Sequence, residues 1–220
     1  MSENNFDDKI ILIENNPQLY LSKLDTTKQN HINNSREATD FLLSALTLNY
    51  INNDCYPQKE LLLKSIQIFK KGKMSQQQLE AQYLLAGIYR NEKDLTNEIY
   101  TIEEAINTAS RIDDKEWLFY LYSYLGDIYI KKYNTLKFIK YQTLANQCIK
   151  DIDYRNMSIS TKVLAAKNLL YTEQYQSSYD KLKEIESSIS KNNTYYNEIK
   201  RLQGIALYKM HQWDSCIESM

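Results

Sequence analysis

The chain has 220 residues, with 27 Lys and Arg against 28 Asp and Glu for a formal net charge of −1. That leaves no positive excess for a nucleic-acid partner and no basic block for an anionic membrane. Hydrophobic residues make up 43% and charged ones 25%, a balance that folds, whereas only 4 Gly and 2 Pro argue against a sandwich, a barrel or any strand-rich fold, since these need frequent turn residues.

The amino terminus, MSENNFDDKI, lacks the basic and apolar regions of a signal peptide. The expectation is a cytoplasmic protein, or a periplasmic or membrane-anchored one if a targeting segment has been removed. Residues 6–24 read as two short helices split at Asn16-Pro17, since Pro is tolerated in the first turn of a helix. Residues 25–35 (DTTKQNHINNS) read as a polar loop. The next unit, 36–72, carries FLLSALTLNYI (41–51), the longest apolar run. It is amphipathic and far shorter than the ~20 residues a membrane span requires, so no direct membrane insertion is expected. A second helix follows Pro57.

Unit 76–111 pairs LEAQYLLAGIYR (79–90) with LTNEIYTIEEAINTAS (95–110) across the short NEKD (91–94). Unit 115–150 pairs WLFYLYSYLGDIYIKK (117–132) with LKFIKYQTLANQCIK (136–150). Unit 156–190 pairs ISTKVLAAKNLLY (159–171) with SSYDKLKEIESSIS (177–190). Connections this short make paired helices antiparallel. Ser75 with Gln78, and Asp113 with Glu116, match the capping box that starts a helix. Unit 194–220 ends in HQWDSCIESM, one or two turns into a further helix, which fits the docking part of a longer chain.

Small residues recur. Ala86, Gly126 and Ala166 stand 40 apart, Ala45 lies 41 before the first and Gly204 lies 38 after the last. Three residues on come Leu48, Tyr89, Tyr129, Leu169 and Leu207, then Leu95, Thr135, Tyr175 and Trp213, and then Ala105, Ala145 and Ile185. A shared period near 40 is the mark of a repeat architecture. Glycine in a helix costs roughly 1 kcal/mol against alanine, so Gly126 calls for a packing reason.

Tyr122, Leu125, Gly126 and Tyr129, with Leu85, Ala86, Tyr89, Ile102 and Ala105 in the unit before, resemble the tetratricopeptide repeat. The likeness covers roughly 36–220, with Glu98 and Phe138 where that family prefers Ala. The linking segments SRIDDKEW (110–117) and KDIDYRNM (150–157) resemble those of its longer-period bacterial class. The resemblance implies an all-α fold: a right-handed α-α superhelix, or solenoid, of about five such helix pairs plus the short N-terminal pair, forming a single domain over 1–220. Carried over unit by unit, the family's concave groove falls on Tyr83, Arg90, Tyr120, Asp127, Lys131, Lys167, Tyr171, Arg201 and Tyr208. The positions of the family's chaperone-tail clamp read Leu46, Gly87, Asp127, Lys167 and Ile205, without the paired Asn, which argues against that ligand.

Catalytic and metal signatures are absent from the sequence. His31 and His211 stand 180 positions apart with no ligand spacing. Cys55, Cys148 and Cys216 form no CxxC pair and read as free thiols. The acidic pairs Asp7/Asp8, Glu103/Glu104 and Asp113/Asp114 suit helix starts and solvated faces. No catalytic residue, metal or cofactor is expected, and the chain reads as no enzyme. Tyrosine is in excess, at 19 residues. Some occupy core positions of the repeat; others, mixed with Arg and Lys along the groove, suit recognition of a protein or peptide. The expected function is a non-enzymatic peptide- or protein-binding scaffold, the sensory or docking part of a larger bacterial signalling protein. The alternatives are a peptide-responsive regulator whose ligand changes the superhelix shape, and a self-assembly module that forms a homodimer through Ile205, Leu207, Trp213 and Ile217.

Overall fold

In a computed structural model, residues 6–22, 32–52, 56–150 and 152–212 are described. They form eleven α-helices and no strand. These are α1 (Phe6–Asn15), α2 (Pro17–Leu21), α3 (Ser35–Ile51), α4 (Lys59–Gly72), α5 (Ser75–Asn91), α6 (Leu95–Arg111), α7 (Lys115–Lys131), α8 (Thr135–Lys150), α9 (Ile159–Tyr171), α10 (Tyr175–Ser188) and α11 (Tyr196–Lys209). A 3-10 turn at Tyr154–Asn156 precedes α9. Among the described residues no helix is long and apolar enough to cross a membrane. His31, Cys55, Cys216, Trp213 and Ile217 lie outside the described residues, and with them part of the proposed dimer surface.

Consecutive helices pack on one another except α8 and α9, and α1 also touches α3, α3 touches α5, α7 touches α9, and α9 touches α11. The core is divided accordingly. Leu42, Leu62, Phe69 and Leu84 fill the space between α3, α4 and α5. Ile102, Ala105, Leu121 and Leu125 do so for α6 and α7, and Val163, Leu182, Ile185 and Leu202 for α9 to α11. Each cluster serves its neighbours in sequence, as in a stacked helical array.

The spacing of the helices is set by a recurring turn. Lys73, Lys93, Asp113 and Tyr133 follow each other every 20 residues, and Glu173 and His211 come later. All six have φ between 54° and 61°, the left-handed region. After each, the next N–H reaches back to the carbonyl five residues earlier: Met74 to Phe69, Asp94 to Tyr89, Asp114 to Ala109, Asn134 to Tyr129, Gln174 to Leu169 and Gln212 to Leu207, at 2.9–3.0 Å. This is the Schellman closure, which satisfies carbonyls that a helix end leaves free. In three turns the residue that closes one helix also caps the next. Asp94, Asp114 and Asn134 accept from the N–H groups of Asn97, Trp117 and Lys137 at 3.0–3.1 Å. The result is that α5, α6 and α7 are each 17 residues long, separated by three.

Several sequence expectations change here. SRIDDKEW holds no long linker, because the extra length of the period lies in the helices; KDIDYRNM does hold one, built around Asp153, which accepts from the Arg155 N–H at 3.0 Å. Neither capping box forms. Ser75 is already helical after an uncapped Met74, and Gln78 instead donates to Thr108 across the α5–α6 contact at 3.1 Å. Asp113 is the left-handed residue, so Asp114 caps α7 and Glu116 is freed to accept from the Ser158 N–H at 2.8 Å. Pro17 does open α2, with Asn16 as its cap, whereas Pro57 lies two residues ahead of α4.

The recurring small residues Ala45, Ala86, Gly126, Ala166 and Gly204 are all buried. A Cβ at Gly126 would stand 3.0 Å from the Gln142 amide on α8, and one at Gly87 would collide with the Tyr56 ring. Close approach therefore accounts for both glycines. Among the large partners, Tyr129 and Leu207 are buried, but Leu48 is 38% exposed and Thr135 lies on the surface.

Left-handed backbone at non-glycine residues costs roughly 1 kcal/mol each, and Tyr133, 94% exposed, loses no packing on truncation. Tyr133→Gly is expected to stabilise the chain by about 1 kcal/mol, read as a rise in the midpoint of denaturant unfolding. An unchanged or lower midpoint would contradict the turn's role.

Candidate functional site

The end of α1 meets the start of α11. The backbone carbonyl of Glu14 accepts from both the N–H and the hydroxyl of Thr194 at 3.2 Å, and Asn193 donates to the Asn15 side chain at 3.2 Å. Beside them the Tyr50 hydroxyl donates to the Glu14 carboxyl at 3.2 Å and lies 3.3 Å from that of Tyr195. Partners separated by about 180 residues thus bring α1 and the segment ahead of α11 together.

The contact borders a half-open cavity of about 750 Å³. Its lining comes from α1, α3, α5, α7, α9 and α11 and their immediate caps. The even-numbered helices contribute no described lining residue. Trp117, Tyr83 and Tyr120 form an edge-to-face cluster with centroids 5.2–6.2 Å apart, and the hydroxyls of Tyr83 and Tyr120 bond at 3.1 Å. Such ring packing fixes the aromatics and leaves their remaining surface to the cavity. A second space of about 500 Å³ lies beyond Tyr83, Tyr120 and Tyr195, with Arg90, Gly87 and Lys167 on its wall.

Enclosure moves the protonation of the lining groups. Burial, with a smaller contribution from Glu116, raises the Glu14 carboxyl from 4.5 to about 7, against the lowering effect of the Tyr50 bond. Glu80 rises to about 8, first through burial and then through the like charges of Glu14 and Asp7. The surface it keeps opens to the cavity, and among the described residues it has no hydrogen-bond donor and no cation. Tyr50, Tyr120 and Tyr195 are pushed well above 10 by burial, so they stay neutral.

A polar network lies next to this wall. Glu98, buried at a position where a small residue was expected, accepts from the Tyr124 hydroxyl at 2.8 Å, and Arg90 donates to that hydroxyl at 2.6 Å. Asp127 pairs with Lys167, 40 residues on, at 2.6 Å, tying α7 to α9.

The nine groove residues expected from sequence divide among these places. Tyr83, Tyr120 and Arg201 line the large cavity, with Arg201 held by Glu198 through two 2.7 Å bonds. Arg90 and Lys167 line the second space, and Asp127 and Lys131 face a third of about 390 Å³ with Arg90 and Tyr124. Tyr171 packs on Phe138, and Tyr208 is 54% exposed; neither borders any of the three. Sequence reasoning missed Glu14, Tyr50, Glu80, Trp117 and Tyr195 as cavity residues. Trp117 and Glu80 carried a usable signal: they sit a helical turn or less from Tyr120 and Tyr83. Glu14 carried none, because α1 lies outside the repeat. Among the described residues no group of three His, Cys, Asp or Glu is arranged to hold a metal ion. No protein-family model, no curated protein and no solved structure matches the chain.

Because Glu14 and Glu80 bind protons more tightly folded than unfolded, the native chain holds the extra protons between about pH 4.5 and 8. Stability is therefore complete below that window and falls as pH rises through it. The carboxyls whose pKa is lowered, such as Asp94 and Asp153, titrate below it. The melting temperature is expected to be higher at pH 5.5 than at 8.5, and Glu80→Gln to raise the melting temperature at pH 8.5 and flatten the slope. A Glu80→Gln chain with the original slope would contradict this origin.

Proposed function

We propose that the chain is a non-enzymatic receptor of tetratricopeptide-repeat type, a right-handed solenoid whose inner helices hold a peptide or a short partner segment. The observation that supports this most is the cavity itself: alternate helices alone line it, and they present fixed aromatic rings to it. Its 750 Å³ falls in the range of ligand sites, roughly 300–1,000 Å³. Pre-packed Tyr and Trp side chains give large contact area at small ordering cost. The described lining contains no His, Cys or Lys, and four of its carboxyls, those of Glu14, Asp114, Glu116 and Glu198, are bonded to Tyr, Gln, Arg or backbone groups rather than to a nucleophile. That composition suits binding more than chemistry.

A second reading, a ligand-responsive regulator, draws on the closure contact. Glu14, Tyr50 and Tyr195 are cavity wall and closure at once. An occupant that bonds to them changes the balance between the closed array and one opened at that contact.

The test is to titrate a random tetrapeptide pool into the full chain carrying Trp213→Phe, following Trp117 fluorescence. Saturable binding is expected, weakened at least tenfold by Ser160→Phe, which narrows the cavity without adding a second indole. No saturable signal, or the same affinity with the cavity narrowed, would overturn the proposal.

A further inference from the structure

The cavity wall has a charge imbalance that its own residues do not resolve. Six carboxyl groups line it against one guanidinium, that of Arg201. Arg201 is already engaged by Glu198. Asp114 is satisfied by the Trp117 N–H and the Gln76 amide, Glu116 by the Ser158 N–H, and Glu14 by Tyr50. Asp7 is exposed. Glu80 is left partly buried on the cavity wall, with no donor among the described residues. A partly desolvated carboxyl without a partner favours keeping its proton or gaining a cation beside it.

Resting on the reading of the cavity as a binding site, we propose that its occupant presents a positive charge, an alkylammonium or guanidinium group, to Glu80. The rings of Tyr83, Tyr120 and Trp117 stand around the same space, and aromatic rings attract a desolvated cation. An anionic group would meet the like charge of the wall, which excludes it. A neutral group would leave Glu80 to hold its proton and would draw nothing from the imbalance.

The inference carries a pH signature. The groups that face Glu80 across the cavity are Asp7 and Glu14 on α1, Tyr50 on α3, Tyr83 on α5, Asp114, Glu116 and Tyr120 on α7, and Tyr195, Glu198 and Arg201 at α11. Of these, Glu14 is the other group raised into the neutral range, while the tyrosines are raised above 10. A bound cation favours the ionised carboxylates, so binding releases protons at pH 7 and tightens as pH rises through about 8.

The experiment uses the full chain and four probes: amidated, acetylated tetrapeptides with Lys, Gln or Glu at one fixed position, and 1,5-diaminopentane. The Lys peptides are expected to bind at least tenfold tighter than the Gln peptides and the Glu peptides weakest. The Lys affinity should rise about tenfold from pH 6.5 to 8.5, with proton release seen as buffer-dependent heat. Glu80→Gln should bring Lys and Gln peptides within twofold of each other. Binding of 1,5-diaminopentane without any peptide supports the cationic occupant and overturns the peptide reading. Gln or Glu peptides binding as tightly as Lys overturn the cationic occupant and leave the peptide reading standing. No binding by any probe overturns both.

Discussion

The contact between the Glu14 carbonyl and Thr194 is the constraint on which the interior depends. A stack of helices with its described ends apart offers a groove; bonding α1 to the segment just ahead of α11 narrows that groove into a half-open cavity. The bonds are few, and each is worth only about 1 kcal/mol net. They matter through what they position, because α1 brings Glu14 and Asp7 to the wall opposite α5. Without α1, Glu80 would lose the like charges that lift its pKa along with part of its enclosure. Geometry and protonation at this site therefore have one cause.

The contact can form because the array keeps count. Left-handed residues every 20 positions from Lys73 to Tyr133, each followed by a 2.9–3.0 Å closing bond, hold the central helices to one length and one spacing. Alternate helices then face the same side, so Tyr83 and Tyr120, 37 residues apart, come within 3.1 Å. Longer ties act across the same interval: Asp127 to Lys167, Gln76 to Asp114, and Glu116 to Ser158. These polar links specify which helix faces which, while the buried Leu, Ile and Ala residues supply most of the driving force.

The helical content and the period were legible because burial follows sequence spacing. Ala86, Gly126 and Ala166 are buried where the 40-residue alignment put them, and the helix spans agree to within a few residues. The turns were harder to read. Their left-handed positions hold Lys, Asp, Tyr, Glu and His, so the usual glycine signal is missing and Asp113 passed for a cap one residue early. The interior was legible only in part. Tyr83, Tyr120 and Arg201 were reached only through groove positions carried over from a resemblance, and Glu14 and Tyr195 belong to segments off the period that meet through a contact 180 residues long. The exposed positions of Tyr171 and Tyr208 reflect the same limit: a register carried from repeat to repeat does not know where the cavity ends.

The closure is most directly measured as a distance. Spin labels at the exposed positions Leu19 and Asn192, with Cys55, Cys148 and Cys216 replaced by serine, flank the contact without touching its bonds. A closed array gives one narrow distribution at about two helix diameters, ~20 Å. A broad distribution, or one centred beyond ~40 Å, four helix diameters, would mean that the ends are apart and that the cavity is an open groove.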